Sequence, residues 1–305
     1  MSMRYTAGFI SAFYDPLKNP NAPTIGTATG GPSSVSVTFT APSNVGGSAI
    51  TSYTAISTPG GFTSTAASSP ITVSGLSAGT AYTFKVLATN SYGSSVLSAE
   101  SNSAIPLAIG DAYQGGFFAG QIGVSGVATH NLVIGPRSTA ENSSLQWKNT
   151  ATATSGADSD INGPQNTADM VADGSSTIYP AAHFCNNLVT GGFDDWYMPA
   201  KNEIEVCYFN FKPTTSNNSL GSGVNPNAVP VRTSTYTSEN PPQTSVVAFR
   251  SGGAQAFTSD PGSAYWCSTE FSNVSGRFQA FTYGTQASNL KYQPYRVRAV
   301  RRVAV

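Results

Sequence analysis

Residues 191–206 read GGFDDWYMPAKNEIEV. Two glycines, an acidic-aromatic turn and a proline separate two stretches of helical pattern, so this segment joins the end of one apolar-striped helix to the start of another. On its N-terminal side Pro180 opens a helix in which Ala181, Phe184, Cys185, Leu188 and Val189 fall at i, i+3, i+4, i+7 and i+8. That is a complete core-facing stripe, and Gly191 supplies the left-handed stop. On its C-terminal side a helix starting after Pro199 buries Ile204, Cys207, Tyr208 and Phe211. Ala200 stands where a capping Ser or Thr would serve, so the box with Glu203 lacks its side-chain acceptor, a loss of about 1 kcal/mol.

Further along the chain YWCSTEF (265–271), RFQAFTYG (277–284) and YRVRAVRRV (295–303) read as strands joined by the turn-rich SNVSG and GTQASN. The Asp-Trp-x-x-Pro turn before a helix, the Tyr-Trp-x-Ser-Thr-Glu strand and the closing Val-Arg-x-Val-Arg strand come in this order. In that respect the segment resembles the Lcl-type C-terminal domain, a C-type-lectin-like fold related to the formylglycine-generating enzymes. The resemblance implies an α+β domain with two helices over residues 107–305. Upstream of residue 180, IGDAYQGGFFAGQI, ATHNLVIGPR and SSLQWKN suggest three strands, followed by a long polar loop. Residues 212–262 form a second Ser/Asn/Gly/Pro-rich insertion, with TSVVAFRSGG as its clearest ordered fragment. Loops of this length in a compact domain are usually functional or cover something.

Between Pro23 and Pro106 the periodicity changes to two. Val35, Val37 and Phe39 point one way in SVSVTFT, and Tyr82, Phe84, Val86 and Ala88 do so in AYTFKVLAT; Gly, Pro, Ser and Asn mark the turns. Residues 21–106 are similar to a fibronectin type III module, in which a Leu six residues before a Tyr makes the tyrosine corner. Leu76 and Tyr82 stand at that spacing, and Phe39 replaces the usual core Trp. Such modules are usually spacers. Ahead of it, residues 1–20 form a short arm with Tyr5, Phe9, Ile10, Phe13 and Tyr14, an apolar set that cannot bury itself and that suits either a first strand or flap laid over the neighbouring domain or docking on another subunit.

The whole chain has 305 residues, enough for two domains that each bury a core. Only 10% of residues are charged, Lys plus Arg equals Asp plus Glu at 15 each, and Gly (30) and Pro (19) are plentiful. This composition fits a mainly β protein and leaves no positive excess to hold a phosphate backbone. Arg296, Arg298, Arg301 and Arg302 form a local basic strip that reads as a salt-bridged strand. No stretch approaches the roughly 20 apolar residues of a membrane span, and the N-terminus has no apolar run of signal-peptide length.

Candidate chemistry is sparse. Cys185, Cys207 and Cys267 match no zinc spacing and read as small buried hydrophobes. His130 and His183 are isolated. Asp194, Asp195, Glu203, Glu205 and Glu270 have no second group placed to divide acid from base, and the copper-binding cysteine pair on which the oxidase chemistry of formylglycine-generating enzymes depends is not matched at Cys267. Within DSDINGPQNTAD, Asp158, Asp160, Asn162, Gly163 and Asp169 occupy positions 1, 3, 5, 6 and 12, the oxygen spacing of a calcium loop, with Asp in place of the usual final Glu. Between the last strands Phe271, Asn273, Arg277, Gln279, Phe281, Tyr283, Gln286, Asn289 and Tyr292 mix rigid aromatics with adaptable amides, the chemistry of a ligand-binding surface. The calcium-lectin sugar motifs are absent.

Arm, spacer and lectin-like head in sequence are similar in layout to tail-fibre, collar and decoration proteins of tailed bacteriophages. The expectation is therefore a non-enzymatic virion protein, assembled in the host cytoplasm and held to other virion proteins by residues 1–20. Its head would face a host-surface glycan or protein. A homo-oligomer is expected, with no cofactor other than calcium at the loop above, no nucleic acid and no membrane insertion. A purely architectural role is the alternative, and a formylglycine-generating-type oxidase a remote one.

Overall fold

The computed structural model describes residues 17–31 and 33–305, so the aromatic residues of the arm lie outside the described residues. The chain divides into two compact units, residues 1–108 and 109–305, and is mainly β. The last residues of the expected arm belong to the first unit: Lys18 N–H donates to the Gly46 carbonyl (3.0 Å), and Asn90 Nδ2 donates to the Lys18 carbonyl (2.9 Å).

The first unit is a sandwich of two antiparallel sheets. One has the order β1 (Thr24–Gly31), β2 (Ser34–Thr40), β5 (Ile71–Ser74); the other runs β4 (Thr63–Ala66), β3 (Ser52–Thr58), β6 (Thr83–Asn90), β7 (Gly93–Ser94). The period-two residues meet between them: Val35, Val37, Phe39, Tyr82, Phe84, Val86 and Ala88 are all buried, with Tyr53, Ile71 and Leu76. The Tyr82 hydroxyl accepts the Ser77 N–H at 3.2 Å, which pins the turn after Leu76 back onto β6.

Beyond β7 the chain continues along β6 in an unusual way. Ser95, Ser98 and Ser101 donate their N–H groups to the carbonyls of Ala88, Val86 and Phe84, so that three residues of this segment span two of β6. That mismatch would strand the N–H groups of β6. Each is met instead by a serine hydroxyl: Ala88 N–H by Ser95, Val86 N–H by Ser98 (2.9 Å) and Phe84 N–H by Ser101. The hydroxyls in turn donate to Val96, Ala99 and Asn102 carbonyls at 2.7 Å.

The second unit contains two five-stranded sheets, and four α-helices among the described residues. The first sheet has the order β12 (Ala228–Val229), β9 (Gly116–Val124), β10 (Val127–Ile134), β17 (Val300–Ala304), with β8 (Ala112–Tyr113) also on β9. The second runs β11 (Glu141–Gln146), β16 (Pro294–Arg298), β13 (Tyr265–Ser272), β14 (Ser275–Gln279), β15 (Gln286–Leu290); only β13 and β16 are parallel. The helices are α1 (Arg137–Ala140), α2 (Gly163–Asp173), α3 (Pro180–Asn186) and α4 (Lys201–Phe211), and Val247–Phe249 is a 3-10 turn.

Helix α4 buries the expected Ile204, Cys207, Tyr208 and Phe211 against β9, β13 and β14. Helix α3 differs from expectation. Ala181, Ala182 and Cys185 face the core, Phe184 and Leu188 are half-buried, and Val189 is exposed beyond the helix end at Asn187. Three small residues let the helix approach closely, and this rotates the inward face by about one residue from the stripe of larger side chains. Helix α2 lies where a polar loop was expected. Its inward face is Gly163, Asn166, Thr167 and Met170, so it carries no apolar stripe.

The aromatic turn is clamped to the last strand: Tyr197 N–H donates to the Val300 carbonyl (2.9 Å) and Val300 N–H to the Tyr197 carbonyl (3.0 Å). Around this junction the second unit buries several phenols. Burial, helped by neighbouring carboxylates at Tyr197, Tyr236 and Tyr265, pushes these groups above their ordinary range, Tyr265 to about 12.

Two predictions follow from this packing. Replacing Ser98 by Ala leaves the buried Val86 N–H without an acceptor, and chemical unfolding should show a loss of about 1–3 kcal/mol. For the phenols, the folded chain keeps protons that the unfolded chain releases above pH 10. Stability is therefore full below pH 10 and falls as pH rises past it, by up to about 1.4 kcal/mol per pH unit for each fully buried phenol. Denaturant unfolding between pH 8 and 11, with tyrosinate absorbance at 295 nm, should show the phenols ionising together with unfolding and not before it.

Candidate functional site

The nine residues read from sequence as a binding surface fall into two groups. Phe281 and Gln279 are fully buried and belong to the frame. The Phe281 ring stacks on Phe257 at 3.7 Å and meets Tyr208 and Tyr265 edge-on. Gln279 is paired with Tyr265 on β13 and with Gln286 on β15, and its Oε1 has no partner. Phe281 follows the end of β14, where strand alternation no longer sets which way a side chain points, so sequence phase could not place it.

The others lie toward the surface. Phe271 (54% exposed), Asn273, Tyr283 and Tyr292 are exposed. Arg277, Gln286 and Asn289 are half-buried. Asn289 Nδ2 donates to the Tyr295 hydroxyl (2.6 Å), and Gln286 Nε2 to the Lys201 carbonyl at the start of α4 (3.3 Å). Arg277 lies with its guanidinium centre 4.2 Å over the Phe271 ring. The structure adds Val274 and Leu290, both exposed, to the surface formed by β13–β14 and β15. A sign of Val274 was present in the sequence: it sits in the two-residue turn between two strands, where an apolar side chain has nowhere to go but out.

Two buried lysines hold this region to the loop that precedes α2. Lys291 donates to the Thr152 carbonyl (2.7 Å) and the Asn273 carbonyl (3.0 Å) and pairs with Glu270 (3.0 Å). Lys148 donates to the Ala153 carbonyl (2.8 Å) and pairs with Asp173 (3.4 Å). Burial lowers the Lys291 ammonium from its ordinary value, against the pull of Glu270. The indole of Trp147 lies under Lys291 and donates to the Cys267 carbonyl (2.9 Å).

The calcium spacing has another explanation. Residues from Gly163 onward are helix α2, so Asp169 lies on a helix and not at the end of a loop; it accepts from Gln165 Nε2 (2.8 Å). Asp160 pairs with Lys201 (2.8 Å), Asn162 caps α2 and Asp158 is exposed. Gly163 is required by packing: a Cβ there would meet Glu203 Oε2 at 2.3 Å and Tyr197 at 2.6 Å. Among the described residues no three His, Cys, Asp or Glu side chains are grouped to hold a metal ion.

The carboxylates with no assigned partner in sequence are framework groups. Glu203 is buried and accepts from the Tyr197 hydroxyl (2.5 Å), Ala200 N–H (2.8 Å) and Arg302 Nε (2.8 Å); burial raises its carboxyl above the usual range, against Arg302. Glu205, also buried, accepts from Tyr236 (2.6 Å), Asn225 (2.6 Å) and Arg232. Asp195 binds Arg301 through both oxygens (2.7 and 2.8 Å), and that guanidinium stacks on Phe193 at 3.7 Å. Arg296 and Arg298 converge on Glu141. The basic strip is thus an ion-paired one. The three cysteines are buried and unbridged, and burial pushes their thiols up, Cys267 to about 12.

With the sandwich, its tyrosine corner and its core in place, the comparison with known families is direct: residues 21–104 match the fibronectin type III domain model. Residues 21–104 form a fibronectin type III domain. Among solved structures this part of the chain is similar to the titin kinase with its flanking domains (30% identity over 29% of this chain and 17% of that one, TM-score 0.26). It is also similar to the twitchin kinase region of C. elegans (26% identity, 30% and 18% coverage, TM-score 0.27). A third match is the fibronectin type III domain of human fibronectin type III domain containing protein 3 (26% identity, 29% and 89% coverage, TM-score 0.24). The chain spans less than a fifth of the titin and twitchin structures, which it matches in the fibronectin domain alone. No curated protein matches the chain.

The division between frame and surface is measurable. Phe281→Ala should lower stability by about 3–5 kcal/mol, because it empties the centre of a four-ring cluster. Tyr283→Ala, two residues away, should stay within about 0.5 kcal/mol in the same denaturant titration.

Proposed function

We propose that this protein is a non-enzymatic structural protein of a bacteriophage particle, in which the fibronectin type III domain is a spacer and the second unit is a lectin-like head displayed for attachment to the host surface. The observation that carries this reading is the surface formed by β13–β14 and β15. Exposed Phe271 on β13, and Asn273, Tyr283 and Tyr292 in the turns that flank β14 and β15, are carried by a sheet whose inward residues are buried and bonded, so aromatic and amide groups are presented from a fixed frame.

Three further features support the lectin-like head. The Asp-Trp-x-x-Pro turn runs directly into α4, Tyr265–Thr269 is the buried part of β13, and the closing strand β17 pairs with β10 and with the turn. A non-enzymatic role is supported by the carboxylates, which are spent on arginine, tyrosine and backbone partners, and by thiols whose burial disfavours the reactive thiolate. In this reading the arm of residues 1–20 binds other virion proteins, the protein acts as a homo-oligomer, and the head's target is a glycan or protein of the host cell surface.

Purified full-length protein should adsorb to susceptible cells and block infection by the intact particle. Removal of the arm, residues 1–20, should release the protein from particles while leaving adsorption unchanged. Absence of adsorption, with particles that still infect after Phe271 and Tyr283 are replaced by Ala, would leave a purely architectural role.

A further inference from the structure

Strand β15 is the edge of its sheet, and Arg277 on β14 stands opposite its Ser288. Ser275 and Gln279 flank Arg277 on the same face, facing Leu290 and Gln286 across the strand pair. Phe271 occupies the bulged position in β13, where Glu270 faces Gly276 and Ser272 faces Ser275, and its ring lies under the guanidinium.

This arginine differs from all the others among the described residues. Arg137, Arg232, Arg296, Arg298, Arg301 and Arg302 pair with carboxylates, and Arg250 donates to the Thr244 and Ser245 carbonyls. Arg277 has no hydrogen bond and no ion pair from its guanidinium; its Nε is covered and unpartnered, whereas Nη1 and Nη2 are not among the covered atoms. A guanidinium keeps its charge at any physiological pH, and contact with a ring face restricts where the group can go. What remains, beside an exposed aromatic, is a guanidinium whose two terminal amino groups make no bond within the protein, the donor pair that can receive the two oxygens of one planar anion.

We infer that the Arg277–Phe271 pair is a recognition site for the carboxylate of an acidic saccharide, a reading that rests on the attachment role proposed above and names its target. The charge count favours a single carboxylate over a phosphate dianion or a sulfated polymer. Lys201 is paired with Asp160 at 2.8 Å, and Lys291 is buried and pairs with Glu270 at 3.0 Å, so Arg277 is the one cation of this surface without an ionic partner among the described residues. Ser288, directly opposite Arg277, and Gln286, on the same face of β15, supply a hydroxyl and an amide suited to ring hydroxyls, and the open part of Phe271 suits the apolar face of a sugar.

The test uses the full-length chain on an array of glycans bearing hexuronic, sialic or pyruvyl carboxylates, each beside its carboxyl-reduced counterpart. Retention on the carboxylated forms, loss on reduction and weakening with added salt are expected. Arg277→Ala should weaken apparent affinity about tenfold or more with an unchanged melting temperature, and Arg277→Lys, which keeps the charge but not the fork, should recover only part of it. The inference is overturned if no carboxylated glycan is retained, if reduced forms are retained equally, if Arg277→Ala binds as the parent does, or if polyglutamate competes as well as the free saccharide, which would indicate an acidic polypeptide instead. Adsorption of the full chain to susceptible cells separates the two proposals. If adsorption persists while the array shows any of these results, the attachment role stands and saccharide-acid recognition fails. If array binding holds without adsorption, the saccharide site stands and the attachment role fails.

Discussion

The second unit depends on a carboxylate taken out of water. Glu203 is buried at the first turn of α4, and an isolated charge there would cost many kcal/mol. It is sustained because three donors from three parts of the chain converge on it: the Tyr197 hydroxyl from the aromatic turn, the Ala200 N–H from the helix start and Arg302 from the closing strand. The first residue of α2 packs so close that only glycine fits. One side chain thus fixes the relative positions of turn, two helices and last strand, which explains how a scaffold with a missing N-cap side chain can still define where α4 begins. Two residues on, Glu205 is held by Asn225, Arg232 and Tyr236, and so ties the helix to the long insertion that would otherwise have little to order it.

A related device supports the outer loops. A segment without regular structure must still satisfy its carbonyls. Lys148 and Lys291 donate to the carbonyls of Thr152, Ala153 and Asn273, and their charges are balanced by Asp173 and Glu270. Each ammonium has three donors, and Lys291 uses them on three separate acceptors. The loop ahead of α2 and the turn at Asn273 are therefore joined through a single buried nitrogen.

These devices also set what could be read in the sequence. Apolar periodicity was legible wherever the core is apolar: the alternating residues of β2 and β6, the Leu76–Tyr82 corner and the stripe of α4 all pack as their spacing implies. Helix α2 was not, because its buried face is Gly163, Asn166 and Thr167, residues that make hydrogen bonds and leave no stripe. The spacing of Asp and Asn that suggested calcium is real, but its members serve as a cap, an ion pair and a helix side chain. The inward face of α3 was obscured for a different reason, since alanines carry little signal beside Phe184 and Leu188. On the candidate surface, Phe271 and Tyr283 were placed correctly outside and Phe281 was not, because only contact with Phe257 distinguishes it from them.

The separation of frame from surface has a consequence for how such a head can change. Gly276 on β14 lies against the Trp147 indole and Gly284, in the turn before β15 at φ +73°, against the Tyr208 ring, so side chains at these two positions would force the chain off its path. Phe281 and Gln279 are fixed by burial. Between these points Phe271, Asn273, Tyr283 and Tyr292 contribute little to the core, and exchanging them alters what the surface meets without altering how the chain folds. Arg277 stands at the boundary. Its Nε is enclosed with the frame while its two terminal amino groups are left uncovered, so its position is set by the fold and its specificity by whatever approaches Phe271.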